Sequence, residues 1–313
     1  MTTTLLAIGE SLVDVVEHPD DRGTAEHPGG SPLNIAFGAA RLGLPSTLLT
    51  EIGSDARGRA IVDHLATAGV TLDPSSLRDE PTSSATAVLQ ADGSARYVFD
   101  LRWSLPEGAA LPPASIVHTG SIAAFLEPGG SQIAERLRVA TAAATSAEPP
   151  VITFDPNMRP SIITDHAAAL ARFGEIAGLA TLVKLSDEDA AWLYPDASSL
   201  DDAIDSILAL GPALVVVTRG GEGAVLATAA ERVAVPGRPV AVVDTIGAGD
   251  SFMSALIVQL ARMLDAGTSP GRLRDGSAFD AAALVELGDF AARCAAITVS
   301  RAGANPPTTA DLA

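Results

Sequence analysis

The amino-acid sequence predicts an α/β fold, with a central, mostly parallel sheet covered by helices on both faces. Two observations carry this. Short apolar runs are continuous rather than alternating, which marks strands buried on both faces. Helical patterns lie between most of those runs. A third observation is the apolar reserve: 47% of the 313 residues are hydrophobic, enough for a large core and too many for a disordered chain. No repeat, low-complexity tract or long linker divides the chain, so residues 1–313 read as a single domain.

In chain order, Leu5-Leu6-Ala7-Ile8 is a buried-strand run ended by Gly9. Residues 32–43 read as a helix capped by Ser31, with Pro32 at its first position and Ile35, Ala36, Ala39 and Leu42 on one face. Residues 47–52 are the next strand. Residues 57–68 are a second helix, with Ile61, Leu65 and Ala68 inward and Gly69 as its stop. Further strands are predicted at 116–119, 151–154, 181–185, 214–218 and 240–243, the last leading to a helix over 252–264. Two stretches break the pattern. Residues 84–101 read as a hairpin turning at Ala91-Asp92-Gly93-Ser94, and residues 13–26 are extended and charged. Together, over about 13–28 and 84–103, they form either a β lid or an ordinary surface hairpin.

Composition excludes several function classes. With 38 acidic against 20 basic residues, the formal charge of −18 repels nucleic acid and anionic membranes. At 4% aromatic content a base-stacking surface is not expected. The one cysteine, Cys294, excludes an internal disulfide and a multi-cysteine zinc site and fits a reducing cytoplasm. The N-terminus lacks the basic region of a signal peptide, and no window approaches the ~20 apolar residues of a membrane helix. A cytoplasmic protein is expected, with neither nucleic-acid nor membrane partners. Among the basic residues only Lys184 is lysine. It is either a chance survivor of a coding bias or a position that needs a compact ammonium.

The strongest motif is Asp244-Thr245-Ile246-Gly247-Ala248-Gly249-Asp250-Ser251-Phe252. Small residues at 247–249, at a helix start, let backbone amides converge on one spot and form an anion hole. Asp250 would repel a bound anion, so it is either a base for an attacking hydroxyl or an acidic helix-start residue. A Walker loop is excluded because no Gly-Lys pair exists, and a dinucleotide fingerprint is excluded by Phe252. A hydrolase using Ser251 would need a histidine base, and His18, His27, His64, His118 and His166 all precede it. The second motif is Gly29-Gly30-Ser31-Pro32-Leu33-Asn34, either a close-approach site for a ligand or a tight turn. Asn34 and Asp14 are groups that suit sugar hydroxyls.

These two motifs, with Gly9-Glu10-Ser11-Leu12-Val13-Asp14 and Ile52-Gly53-Ser54-Asp55-Ala56-Arg57-Gly58, resemble the signatures of the ribokinase-like, PfkB-type carbohydrate kinases. The resemblance spans the chain and implies a ribokinase-like fold with a small β-sheet lid. It implies an enzyme that moves the γ-phosphoryl of ATP onto a sugar hydroxyl, with Mg2+ and with K+ as a candidate second ion. Asp250 is then the base and Gly247, Ala248 and Gly249 the anion hole. Asp14, Gly30, Ser31 and Asn34 match the sugar positions. Lys184 and the loop with Thr218, Gly220 and Gly223 lie toward the nucleotide. Asp244, Ile246, Thr298, Arg301 and Gly303 match a monovalent-cation site, although Pro307 stands where the family often has serine. Where the family has Asn-x-x-Glu, this chain has Ser186 and Asp189, which leaves Asp189 as a water-mediated Mg2+ ligand or a helix-start acid. The string Phe154-Asp155-Pro156-Asn157-Met158-Arg159-Pro160 looks most like bacterial fructokinases and points to fructose. Arg159, assigned to the substrate, and Arg102 keep 2-keto-3-deoxygluconate open, beside other sugars or nucleosides, because an arginine clamps a carboxylate. A sugar-binding regulator without catalysis would have lost the base or the glycine run. The lid also implies a homodimer contact.

Overall fold

Leu5–Ile8 form β1, and all four residues are buried because the strand lies inside the main sheet. The computed structural model describes residues 2–17, 23–89, 95–106, 110–142 and 148–313. The chain continues as β2 (Leu12–Glu17), β3 (Thr24–Gly29), α1 (Ser31–Arg41), β4 (Ser46–Leu49), β5 (Ile52–Gly53), α2 (Ala56–Ala68), β6 (Thr71–Leu72) and β7 (Leu77–Arg78). Then come β8 (Ser84–Leu89), β9 (Ala95–Asp100), β10 (Ile116–Gly120), α3 (Gly129–Ala142), β11 (Val151–Asp155), α4 (His166–Ala177) and β12 (Leu182–Ser186). The last third holds α5 (Asp187–Leu193), α6 (Leu200–Leu208), β13 (Leu214–Thr218), β14 (Ala224–Ala227), β15 (Arg232–Val235), α7 (Ala248–Asp265), α8 (Pro270–Arg274) and α9 (Ala281–Val299).

Among the described residues the main sheet has nine strands in the order β15-β14-β13-β12-β11-β10-β1-β4-β6. It is parallel from β6 to β13, and the β14–β15 end is antiparallel. One face packs on α1, α7 and α9 through Ile116, Leu182, Leu214, Leu256 and Leu287. The other packs on α3, α4 and α6 through Val117, Phe154, Val183, Phe173 and Ile204. Helices cover both faces, as the continuous apolar strands predict. A separate four-stranded sheet, β3-β2-β8-β9, is built from the two stretches that break the βα rhythm. The turn expected at residues 91–94 lies outside the described residues, as does His18.

Four local expectations are corrected. The strand expected at 47–52 is two strands, β4 in the main sheet and β5 paired with β7. Residues 240–243 are not a strand. Pro236 and Pro239 remove backbone donors from this stretch, and the amides of Val243 and Asp244 both turn to the Val299 carbonyl. Ser31 does not cap α1 but is its first residue, behind Gly30. Finally, α7 starts at Ala248 rather than Phe252, because Gly247 takes a left-handed conformation (φ 75°) and turns the chain directly into the helix.

Candidate active site

Helix α1 has no side-chain cap of its own, because Gly30 precedes it with φ 111°. A β-carbon at Gly30 would lie 2.6 Å from the Glu10 carbonyl oxygen. Ser31 and Asn34, three residues apart, lie on one face of the first turn. Both point at Asp250: Ser31 Oγ donates to Asp250 Oδ1 at 2.6 Å and Asn34 Nδ2 to Asp250 Oδ2 at 2.8 Å. The two motifs, more than 200 positions apart, are thus one site. Helices α1 and α7 can approach so closely because Gly38 leaves room for Ser254, whose Oγ would be 2.6 Å from a β-carbon there.

The first amides of α7, at Ala248 and Gly249, lie in the turn where a helix leaves its donors without helical carbonyls. Lys184 reaches the same place. Its ammonium would be 3.1 Å from a β-carbon on Gly249. It is 4% exposed and ion-paired to Asp155 at 2.8 Å, which excludes the surface-survivor reading. Burial lifts the Asp155 carboxyl to about 6 against the pull of Lys184, and the charges of Asp189 and Asp250 push it the same way. His118, fully buried, bonds Thr153 Oγ1 at 3.0 Å and is driven down to about 3 by burial and by Lys184. His118 at about 3 is a weak base and bonds Thr153 rather than Ser251, whose Oγ is buried without a hydrogen-bond partner among the described residues. The hydrolase reading therefore has no activated serine behind it.

On the sugar side, Asp14 sits in β2 opposite His27, its carboxylate against the α-carbon of Gly29. Surrounding protein raises its pKa, while His27 and Arg159 pull it down. Arg159 itself folds onto its own loop, donating to Asn157 Oδ1 at 2.6 Å and Met158 O at 2.9 Å. Arg102 is 3.4 Å from Asp100, and Trp103 is buried against Gly129.

Thr218 ends β13 opposite Ser186, two residues beyond Lys184 on the neighbouring strand, and donates to Leu185 O at 3.4 Å. In the loop that follows, Gly220 (φ 50°) faces open space and Gly223 (φ 99°) packs tightly on the Val235 carbonyl. Asp244 accepts from Ile246 N at 3.0 Å and from Gly303 N at 2.9 Å, and these bonds hold its carboxyl below the usual range. The turn from Thr298 to Gly303 lies behind Gly247, where a β-carbon would be 2.7 Å from Ala304. Arg301 spends its guanidinium on Asp311 at 2.7 Å, and Thr298 its hydroxyl on Cys294 O at 3.0 Å.

Of its two expected roles, Asp189 fills that of a helix-start acid. Oδ1 accepts Met158 N at 3.0 Å and Oδ2 accepts Ser186 N at 3.1 Å, completing a capping box that starts α5. Among the described residues no three acidic, histidine or cysteine side chains converge as a metal cage. The surroundings fit Mg2+ only as an ion held mainly by phosphate and water. Sequence reasoning missed Asp155, Glu10 and His118. The signal for Asp155 was its place at a strand end beside the strand of the sole lysine.

The pattern of the pfkB family of carbohydrate kinases matches residues 2–311. The chain belongs to that family. As a pfkB-family kinase it is a sugar phosphotransferase with a ribokinase-like fold. It is 32% identical over 275 residues to a fructokinase of Rhizobium leguminosarum bv. trifolii, covering 82% of this chain and 79% of that protein. The structure of a fructokinase with bound ATP from Xylella fastidiosa superposes with a TM-score of 0.83 at 26% identity, covering 100% of this chain and 97% of that one. An E. coli putative ribokinase II in complex with ATP and Mg2+ gives 0.76 at 26% identity, over 96% and 94%. Among the described residues no helix of this pfkB-family kinase is long and apolar enough to cross a membrane.

Proposed function

We propose that this kinase transfers the γ-phosphoryl of ATP to fructose, giving fructose 6-phosphate and ADP. The observation that carries the reading is the Asp250 carboxylate, clasped by Ser31 and Asn34 at the mouth of the α7 amides. Its similarity to several fructokinases supports the choice of sugar. Asp250 takes the proton of the sugar hydroxyl as that oxygen forms its bond to phosphorus, and the bond to ADP breaks. The amides of Ala248 and Gly249, with the Lys184 ammonium, face the negative charge spread over the transferring group. Asp14, Gly30 and Asn34 supply sugar contacts, and Thr218, Gly220 and Gly223 border the nucleotide. Mg2+, held mainly by phosphate and water, would offset charge there as a Lewis acid. The residues around Asp244 suit a potassium ion that would order the loop carrying Gly247. The small sheet acts as a lid that excludes water. Exposed Val98 and Phe99 on its outer strand support a homodimer through it. Work in the cytoplasm fits a chain whose one cysteine is buried.

Arg159 and Arg102 are both engaged with their own surroundings, which favours a neutral sugar over a keto acid. The test is kcat/KM for fructose and 2-keto-3-deoxygluconate measured side by side, with Asp250→Asn. Fructose is expected to be preferred, and the variant to lose about 10² to 10⁴ in turnover with nucleotide affinity kept. Preference for the keto acid overturns the substrate, and near-normal turnover of the variant overturns the base.

A further inference from the structure

The motif Ile52-Gly53-Ser54-Asp55-Ala56-Arg57-Gly58 takes no part in the mechanism above. Asp55 stands before α2, and its Oδ1 accepts the Gly58 amide at 2.7 Å as a helix cap. The same carboxylate also holds Thr82. Oδ1 accepts Thr82 Oγ1 at 2.7 Å, and Oδ2 accepts the Thr82 amide at 2.9 Å. Thr82 Oγ1 in turn accepts the Gly53 amide at 3.0 Å. Thr82 and Ser83 are buried and lead directly into β8 of the small sheet. The junction has no spare room: a side chain on Gly58 would run into the Gly53 carbonyl.

From Thr82 the contacts run on to the sugar side. The Ser83 carbonyl accepts the Val13 amide at 3.0 Å, and the next residue is Asp14. There β2 lies parallel to β8, with Asp14 opposite Ala85. The Ser83 hydroxyl closes the base of β8 and β9, accepting Arg102 N at 2.9 Å and donating to Arg102 O at 3.1 Å. On the other side of β2 lies β3, whose Glu26 accepts Arg57 at 2.7 Å. Two residues at one helix start thus grip both neighbours of the strand that carries Asp14.

We infer that Asp55 is a positioning residue for the sugar site: through Thr82 and Ser83 it fixes where β2, and with it the Asp14 carboxylate, stands beside Gly29. Gly29 is two residues before Ser31, whose hydroxyl holds Asp250, so a shift of β2 moves Asp14 relative to the base. Capping α2 needs one acceptor, and Oδ2 of Asp55 serves Thr82 instead. Asp55→Asn separates these tasks. Asparagine caps a helix as well as aspartate does, but its amide nitrogen would face the Thr82 amide, donor against donor.

The inference rests on Asp14 contacting the sugar, and the experiment distinguishes the two. Asp55→Asn, Thr82→Val and the double variant are compared with Asp14→Asn in steady-state assays with fructose and ATP, with circular dichroism reporting the fold. Asp55→Asn is expected to raise KM for fructose about three- to tenfold, the range of one displaced hydrogen bond, while KM for ATP stays within about twofold. Thr82→Val should raise KM for fructose as well. The double variant should rise by less than the product of the single rises, since both act through one contact. A role confined to capping would leave both KM values unchanged. Unchanged KM for fructose in Asp55→Asn, an equal rise in KM for ATP, or rises that multiply in the double variant overturn the inference. Should Asp55→Asn not fold, Thr82→Val is held to the same KM outcomes. Unchanged KM for fructose in Asp14→Asn removes Asp14 from the sugar and the inference with it. A raised KM there beside an unchanged one in Asp55→Asn overturns the inference alone.

Discussion

At the residue scale, the site is built from buried groups forced into unequal protonation. Lys184 and Asp155 share a pocket in which removing one partner strands the other. Glu10 has no cationic partner to offset its burial, so its carboxyl rises from 4.5 to about 7. A folded-state pKa above the unfolded one means that the folded chain binds the proton more tightly. The stability Glu10 contributes is therefore full below about pH 4.5 and is lost as pH rises through about 7. The expected outcome is that the wild type loses of order 3 kcal/mol relative to Glu10→Gln across that window. Urea unfolding at pH 4.5 and pH 7.5 checks this, and parallel pH dependences for the two proteins would contradict it.

At the element scale, two short devices hold the loops around the site. Asp189 completes the capping box of α5 and holds the 157–158 loop through Met158 N. Asp189→Ala should cost about 1–2 kcal/mol of stability, the usual value of a lost cap. Half-maximal Mg2+ should shift by less than about twofold if that ion is held by phosphate and water; a large shift in the Mg2+ titration would return Asp189 to the metal. The loop before α7 is the second device. Asp244 ties the Ile246 amide to the Gly303 amide, so the two segments are held together without help from the Arg301 or Thr298 side chains. Replacing potassium by a bulky organic cation at equal ionic strength should lower the rate. An unchanged rate would mark the site as lost, as Pro307 in the usual serine position would suggest.

At the scale of the whole molecule, the sequence was most legible where one physical signal acted alone. Continuous apolar runs at 5–8, 116–119, 151–154 and 214–218 became central strands, because burial on both faces leaves a strand no other composition. The valines at 242 and 243 gave the same signal and misled, since 62% and 64% of their surface is exposed and two prolines precede them. The meeting of Ser31 and Asn34 with Asp250 was not legible from spacing, because it depends on how α1 and α7 pack. The motif resemblance implied it and the packing explains it. Glu10 and Asp155 stayed hidden because burial, rather than residue type, gives them their character. A fold that brings these parts together only when folded should gain stability from its substrate. Fructose at about 100 times its dissociation constant should add roughly 2.7 kcal/mol, read as a higher melting midpoint. No shift with fructose beside a shift with another sugar would reassign the substrate. The ends of the two sheets have a separate consequence for how copies of this chain meet. The main sheet finishes in β6, two residues long, and in β15, where Arg232 is pinned to Asp201 and Asp205. Neither border offers another chain a long open ladder, so the larger sheet is guarded against edge-to-edge aggregation. The small sheet ends in six-residue strands, and Pro28 interrupts the donors of β3, which leaves β9 as the border best able to accept a neighbour's strand.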